Sequence, residues 1–272
     1  HSRKALAKLE HLVVQDIFMT ETAWNADIIL PASAHAEKTG TYTNTNRQVQ
    51  IGRAVVEPPK EVRQDWWIIQ EIAKRMGLGW DYKSPKDIFD EMKLVMPSLD
   101  NISWERLEKD NHVTYPVKSE LIPGEDIIFT NGFPTSNNLA KIIPVNLINP
   151  NDELNSDFPL ILSTGRLLEH WHTGTMTRRA LVLNELEPDP MIFMNKVDSN
   201  FYNLNLNKSV IIETRRGKIS IKIRHDDDLL PGMIFLPFCF KEAAANILTN
   251  SDLDPIGKIP ELKFSAARVY QN

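Results

Sequence analysis

The sequence changes pattern once along its length, and that change limits what the chain can fold into. Before about residue 150, apolar runs of strand length alternate with stretches of helical periodicity. After it, short apolar runs follow one another with glycine and proline between them. Alternating strand and helix is the one-dimensional pattern of an α/β unit with parallel strands, whereas a succession of short strands is that of a small closed barrel. Between the two, residues 148–157 (with Asn149, Pro150, Asn151, Asp152, Asn155, Ser156 and Asp157) have the polar, turn-forming chemistry of a linker. A length of 272 residues accommodates two ordinary domains. The expected organisation is therefore 1–150 and 151–272.

In the first part, residues 12–14 read as a short buried strand and 27–30 as a second, apolar strand stopped by Pro31. Residues 20–26 between them read as a helical turn with Thr20 as N-cap. Residues 39–51 are polar and β-branched and suggest an extended excursion or hairpin, with Gly40 at a turn. Residues 65–76 form an amphipathic helix: Trp67, Ile68, Ile72 and Met76 share a face, and Gly77 follows as a stop. Ser84 and Pro85 start further helix over 84–110, and from Thr114 the chain becomes proline-rich and irregular. In the second part, 160–163 and 232–238 read as apolar strands, and 209–214 with 218–223 as a hairpin over Arg215, Arg216 and Gly217.

Composition removes several function classes. A formal net charge of -5, all of it arising before residue 157, argues against a general nucleic-acid surface. No apolar run approaches the ~20 residues of a membrane span, and the richest, 233–240, is broken by Pro237. Cys239 is the only cysteine, which excludes an internal disulfide, a cysteine-rich zinc site and an iron–sulfur cluster held by this chain. The chain opens at His1 with no initiator methionine or signal pattern, and reads as a fragment or a processed chain.

Residues 163–179 carry the most unusual chemistry. Directly after a strand they gather Arg166, Arg178, Arg179, His170, His172, Gly165, Gly174 and several threonines. Glycine and threonine offer backbone N–H and hydroxyl donors and arginine offers planar forks, so the run can cradle an anion. A solvated loop with a chance histidine pair explains it too. His170 and His172 lack an acidic or cysteine partner at metal-ligand spacing, so no metal site is expected. In 237–250, a strand runs into Ala243, Ala244 and Ala245 and then Asn246. Small residues there let a flat ligand approach closely, although a helix start packed on the barrel is the simpler reading, with Cys239 a core residue. Gln15 and Asp16 lie at a strand's C-terminal end, the usual ligand edge of an open α/β sheet. Asp65 at a helix start reads first as a cap. Asp226 to Asp228 and the basic turn at 215–218 read as solvated.

These segments resemble the molybdopterin oxidoreductase superfamily, and within it the formate dehydrogenase catalytic subunits. The matching runs are VVQDIFMTETA at 13–23, ADIILP at 26–31, VEPP at 56–59 and Asp65-Trp66. In the second part they are TGR at 164–166 through TRR at 177–179, then 242–250 and IPELK at 259–263. The run EHWHTGTM at 169–176 is closer to formate dehydrogenases than to nitrate reductases. The resemblance covers nearly all of 1–80 and 158–272, and little of 81–157.

The resemblance implies an α/β Rossmann-like partial domain followed by a mainly-β double-psi β-barrel, the molybdopterin dinucleotide-binding domain. It implies molybdenum or tungsten held by two molybdopterin guanine dinucleotides (bis-MGD) and oxidation of formate to carbon dioxide in the cytoplasm. Carried over by position, Gln15 and Asp65 would contact a nucleotide on the Rossmann-like side. Thr164, Gly165, Arg166, Leu167 and His170 would line the pterin and pyrophosphate path, with His172, Thr173, Gly174 and Thr175 nearby and Asn246 and Lys263 completing the barrel side. Such residues suit a doubly charged pyrophosphate and a flat pterin. The family's iron–sulfur cysteines, its Cys or selenocysteine metal ligand and its catalytic His and Arg belong to an N-terminal half outside these residues. Cys239 stands where many relatives have His between two aromatics. The implied partners are therefore that N-terminal half, electron-accepting iron–sulfur or flavin subunits, and formate. None of the residues of this chain is expected to be catalytic or to ligate the metal. The chain alone is expected to be inactive and to bind the dinucleotide weakly or not at all. Two other readings stand beside this one: another superfamily member, such as a nitrate reductase or the large subunit of the respiratory NADH dehydrogenase, and a non-catalytic cofactor-binding or assembly protein.

Overall fold

The computed structural model describes residues 2–271. They form two compact units that meet in sequence between Ile143 and Pro144.

The first unit begins with α1 (Ser2–Leu6), β1 (Val13–Asp16) and β2 (Ile28–Pro31). β1 and β2 pair in parallel, Val13 opposite Ile28 through Asp16 opposite Pro31. Parallel neighbours need a crossover between them. Here it is no more than a single 3-10 turn at Ala23–Asn25, shorter than the helical turn read over 20–26. The residue at its N-cap is Thr22 and not Thr20, although Thr20 Oγ1 accepts the Ala23 N–H at 3.3 Å and its carbonyl the Trp24 N–H at 3.0 Å.

The polar stretch after β2 is a hairpin of β3 (Gly40–Thr43) and β4 (Gln48–Gly52), with β5 (His112–Thr114) added antiparallel to β4. Gly40 lies within β3 and not at the turn. The reversal falls at 44–47, where Arg47 carries the positive φ of 67° that a tight turn demands.

α2 (Asp65–Arg75) ends at Met76, and Gly77 follows with φ +85°, a left-handed stop that glycine adopts without strain. α3 (Pro85–Val95) starts where expected: the Asp87 carboxylate accepts the Ser84 N–H at 3.0 Å and the Lys83 N–H at 2.7 Å. α4 (Trp104–Asp110) follows, capped by Ser103 Oγ on the Arg106 N–H. Val49, Phe89, Leu99, Ile102, Trp104, Leu107, Val113 and Val117 close a core between these helices and the sheet. Beyond Thr114 the backbone is irregular, and two arginines satisfy several of its carbonyls: Arg47 those of Tyr115, Glu125 and Asp126, and Arg106 those of Ser119 and Ile122.

The second unit is a closed six-stranded barrel, in the order β10-β6-β11-β8-β9-β7. Its strands are β6 (Leu160–Gly165), β7 (Met191–Met194), β8 (Val210–Thr214), β9 (Lys218–His225), β10 (Met233–Pro237) and β11 (Ser265–Tyr270). α5 (Leu181–Leu186) and α6 (Lys196–Phe201) connect them. β6–β10 and β7–β9 are parallel and the other pairs antiparallel. Alternate side chains point inward: Leu160 and Leu162, Ile192 and Met194, Val210 and Ile212, Ile219, Ile221 and Ile223, Ile234 and Leu236 form one core. Among the described residues no helix is long and apolar enough to cross a membrane.

The tip of the β8–β9 hairpin is not the solvated basic turn the sequence suggests. Asp152, 2% exposed, accepts from Arg215 and Arg216 at 2.5 Å each and from the Ala266 N–H of β11 at 2.9 Å. Arg215 also donates to Glu153 O at 2.9 Å and stacks over Phe158. One buried carboxylate thus ties the segment leading into the barrel to the hairpin tip and to the last strand. Removing it would leave two cations and a backbone N–H without their acceptor. Asp152→Ala is expected to cost about 3–5 kcal/mol of stability, read as a fall in the urea midpoint of the barrel transition.

Candidate functional site

Three chain segments converge at one end of the barrel, and strand register explains why. β10 runs parallel to β6 with Pro237 opposite Gly165, so both strands exit at the same end. β11 is antiparallel to β6 with Ser265 opposite Leu162, so the residues just before β11 enter there. The loop after β6, the loop after β10 and the approach to β11 together enclose a cavity of about 760 Å³.

Of the residues singled out from sequence, Thr164, Gly165, Arg166, His172, Thr173, Asn246 and Lys263 line this cavity. Lys263 Nζ donates to Thr164 O at 2.5 Å, and Thr164 Oγ1 donates to Leu262 O at 2.7 Å, so the approach to β11 is clasped to the end of β6. The Thr164 hydroxyl is therefore engaged within the protein. At Gly165 a Cβ would lie 2.5 Å from the Phe235 ring and 3.6 Å from Lys263 Nζ, so only glycine keeps this wall open without moving an aromatic ring.

Leu167, His170, Gly174 and Thr175 do not line the cavity. His170 is 1% exposed, and both ring nitrogens are used: Nε2 donates to Glu187 O at 2.8 Å, while Nδ1 meets Thr177 Oγ1 at 3.3 Å. That Oγ1 also accepts the Trp171 N–H at 3.0 Å. His170 is thus a strut of the loop. Gly174 has φ +74°, and a Cβ there would meet the Arg178 side chain and Cys239 O at 2.8 Å. Thr175 Oγ1 lies 3.1 Å from Thr173 Oγ1. Arg178 Nη1 donates to both Glu242 carboxylate oxygens, at 2.8 and 3.0 Å, and its guanidinium lies 4.8 Å from the Phe240 ring centroid.

The sequence reading missed the apolar wall. Phe238 and Phe240 line the cavity with Ala244, Ala245, Leu262 and Lys241. The alternation Phe-Cys-Phe was a usable signal, because it sends two rings to one side and Cys239 to the other. The tri-alanine segment forms two 3-10 turns, Lys241–Ala243 and Ala245–Ile247, instead of the start of a longer helix. Cys239 is buried, and burial pushes its thiol up to about 11 against the weaker pull of its backbone hydrogen bond and Arg178. The cavity offers Arg166 and Lys263 to an oxyanion and small or aromatic side chains to a flat ring, and none of the described residues lining it is a carboxylate. These residues fit a group that carries both a phosphate and a fused ring.

Gln15 and Asp65 belong to the first unit. Gln15 Nε2 donates to Asp65 Oδ1 at 2.7 Å, and Lys38 Nζ pairs with Oδ2. Asp65 is therefore not the helix cap that its position suggests; Gln64 holds that place. Burial acts to raise the Asp65 carboxyl, but the hydrogen bonds from Lys38 and Gln15 outweigh it and hold the group below the usual aspartate range. Asp65, Lys38 and Trp66 line a second cavity of about 290 Å³ with Tyr42 and Phe89. Among the described residues no three His, Cys, Asp or Glu are placed to hold a metal ion.

Two outcomes follow. Because the folded-state pKa of Asp65 is depressed, its contribution to stability is present above the ordinary aspartate pKa and is lost as pH falls through the lowered value. Asp65→Asn should flatten that acid limb in urea unfolding measured across pH, and an unchanged limb would place it in another carboxylate. Cys239 should resist alkylation at mildly alkaline pH in the native protein and react on unfolding, as followed by mass spectrometry.

Comparison with known proteins supplies the family. Residues 1–75 match the molybdopterin oxidoreductase family, and residues 160–266 the molybdopterin dinucleotide-binding domain. The chain is 43% identical over 271 residues to the F420-dependent formate dehydrogenase subunit alpha of Methanocaldococcus jannaschii, an alignment covering 99% of this chain and 40% of that protein. It is 33% identical over 270 residues to formate dehydrogenase H of Escherichia coli, covering 98% of this chain and 38% of that one. Among solved structures, acetylene hydratase from Pelobacter acetylenicus superposes with a TM-score of 0.75 at 21% identity, over 100% of this chain and 42% of that one, and so shares the fold. The chain thus spans about 40% of the length of these curated relatives. Matching both family models, and formate dehydrogenase subunits over almost its whole length, the chain belongs to the molybdopterin oxidoreductase superfamily.

Proposed function

We propose that this chain is the C-terminal, dinucleotide-gripping part of a molybdenum- or tungsten-dependent formate dehydrogenase catalytic subunit. The observation that carries the reading is the cavity at the barrel end, with Arg166 and Lys263 on one side and a flat apolar wall on the other. The formate dehydrogenase relatives supply the reaction. In this reading residues 1–150 are part of a Rossmann-like domain, and the parallel β1–β2 pair supports that assignment. Residues 151–272 are a double-psi barrel, supported by its two parallel and four antiparallel pairings.

When bound, bis-MGD with its metal supplies the two-electron chemistry by which formate becomes carbon dioxide and a proton. This chain's part is to hold and orient it. Arg166 and Lys263 take the pyrophosphate as charge-assisted donors. Gly165 lets the ligand approach the backbone. Phe238, Phe240, Ala244 and Ala245 accept the pterin face and keep water from it. Asn246, His172 and Thr173 supply neutral donors and acceptors at the rim. His170, Leu167, Gly174 and Thr175 shape the loop from behind. In the first unit, the ionised Asp65 with Gln15 suits the N–H edge of a guanine, which presents donors to a carboxylate. The first metal shell and the catalytic side chains lie in the remainder of the subunit. The two electrons leave to iron–sulfur or flavin subunits in the cytoplasm.

The polypeptide expressed from its complete reading frame should reduce a viologen dye with formate, carry molybdenum or tungsten, and release guanine nucleotide on denaturation. Nitrate reduction in place of formate oxidation would overturn the reading. Arg166→Gln and Lys263→Gln should each lower the metal and nucleotide content of the purified protein, with the double substitution lowest. Unchanged content in all three would remove the barrel-end cavity from cofactor binding.

A further inference from the structure

Arg166 is exposed, yet its guanidinium is held. Its Cζ lies 5.4 Å from the Trp171 ring centroid, and Nη2 lies 3.2 Å from His172 Nε2 and 3.4 Å from Nδ1. The indole and the imidazole meet edge to face, with centroids 4.5 Å apart at 85°. The bracket is anchored from below, since the Trp171 N–H donates to Thr177 Oγ1, which also meets the buried His170. His172 adopts φ 49°, a left-handed conformation that costs a non-glycine residue conformational energy and needs a compensating gain nearby. Within this chain Trp171 is 57% exposed and does not line the cavity. Among the described residues no carboxylate pairs with Arg166.

We propose that Trp171, with His172, is a positioning residue that braces the Arg166 guanidinium at the cavity mouth, aiming its remaining N–H groups at an oxyanion. The inference rests on the cofactor reading of the cavity and deepens it, by naming what fixes the anion-recognising cation. A free arginine side chain loses rotamer freedom when it binds a ligand; a cation already stacked on an indole face has lost much of it beforehand. The left-handed His172 backbone accompanies an imidazole that lies against the indole and within reach of Arg166 Nη2.

The test uses the 272-residue chain with inorganic pyrophosphate at millimolar concentration as probe, followed by NMR. Trp171→Ala and Trp171→Leu should each weaken pyrophosphate binding about two- to fivefold and lower the order of the Arg166 Nε–Hε vector, while Trp171→Phe, which keeps a π face, should stay close to wild type. In an Arg166→Gln background, Trp171→Leu should have no further effect, because the brace acts only through the arginine. Leucine performing as well as phenylalanine would show that bulk and not the aromatic face matters, and would overturn the proposal. So would an undiminished loss in the Arg166→Gln background. Failure of the wild-type chain to bind pyrophosphate would instead strike the cavity reading. The Arg166 order measurement needs no ligand: unchanged order in Trp171→Leu overturns the brace in either case.

Discussion

The site depends on the parallel pairing of β6 with β10. An antiparallel arrangement would have sent the chain after β10 to the opposite end of the barrel. With Pro237 opposite Gly165, the loop carrying Arg166 to Arg179 and the turns carrying Phe238 to Asn246 leave from one end. β11 then adds Lys263 from the same side, because it runs against β6. The inward alternation of Leu160, Leu162, Ile234 and Leu236 makes this register costly to slip. A shift by one residue would turn every core side chain outward and carry Gly165 away from Phe235. The chemistry of the cavity is thus a consequence of how an apolar core closes several residues below it.

Much of this is legible in the residue pattern, and the failures have physical causes. The β8–β9 hairpin, β6 and β10 stand out because each is an uninterrupted apolar or alternating run. β7 is only four residues behind Pro190, and β11 opens on Ser265, Ala266 and Ala267, whose small side chains carry weak strand propensity and suit close packing. The basic hairpin tip reads wrongly because Asp152 lies far from it in sequence, and a long-range ion pair leaves no local trace. Asp65 reads as a cap for a similar reason: its partners Gln15 and Lys38 come from other elements. Gly40 suggests a turn that residues 44–47 make instead.

The candidate residues divide along the same line. Arg166 and Lys263 are recognisable by type, since a phosphate-binding loop calls for cations beside glycine. His170 and Gly174 sit in the same run, and nothing in their identity says that they face inward. For His170 that depends on Thr177 and on Glu187, seventeen residues along the chain; for Gly174 it depends on Arg178 and Cys239. The aromatic wall of Phe238 and Phe240 escapes a reading centred on the lone cysteine, which hides the period of two around it. Sequence alone does not distinguish a histidine whose two ring nitrogens are both engaged from an arginine that faces a cavity with no carboxylate partner.

That distinction also separates the cations of the barrel. Arg178 is committed to Glu242, Arg215 and Arg216 to Asp152, Arg224 to Glu187 and Arg268 to Glu213. Each of these pairs sets a carboxylate against the cation within the fold, although the buried Nε of Arg178 has no hydrogen-bond partner. Arg166 and Lys263 differ. Their contacts are with an aromatic face, an imidazole and a backbone carbonyl, none of which neutralises the charge. A cavity lined by two such cations and by no carboxylate holds a positive potential that the surrounding apolar wall concentrates. In the first unit the Asp65 carboxylate is likewise committed, to Gln15 and Lys38, and is held ionised beside an aromatic-lined cavity.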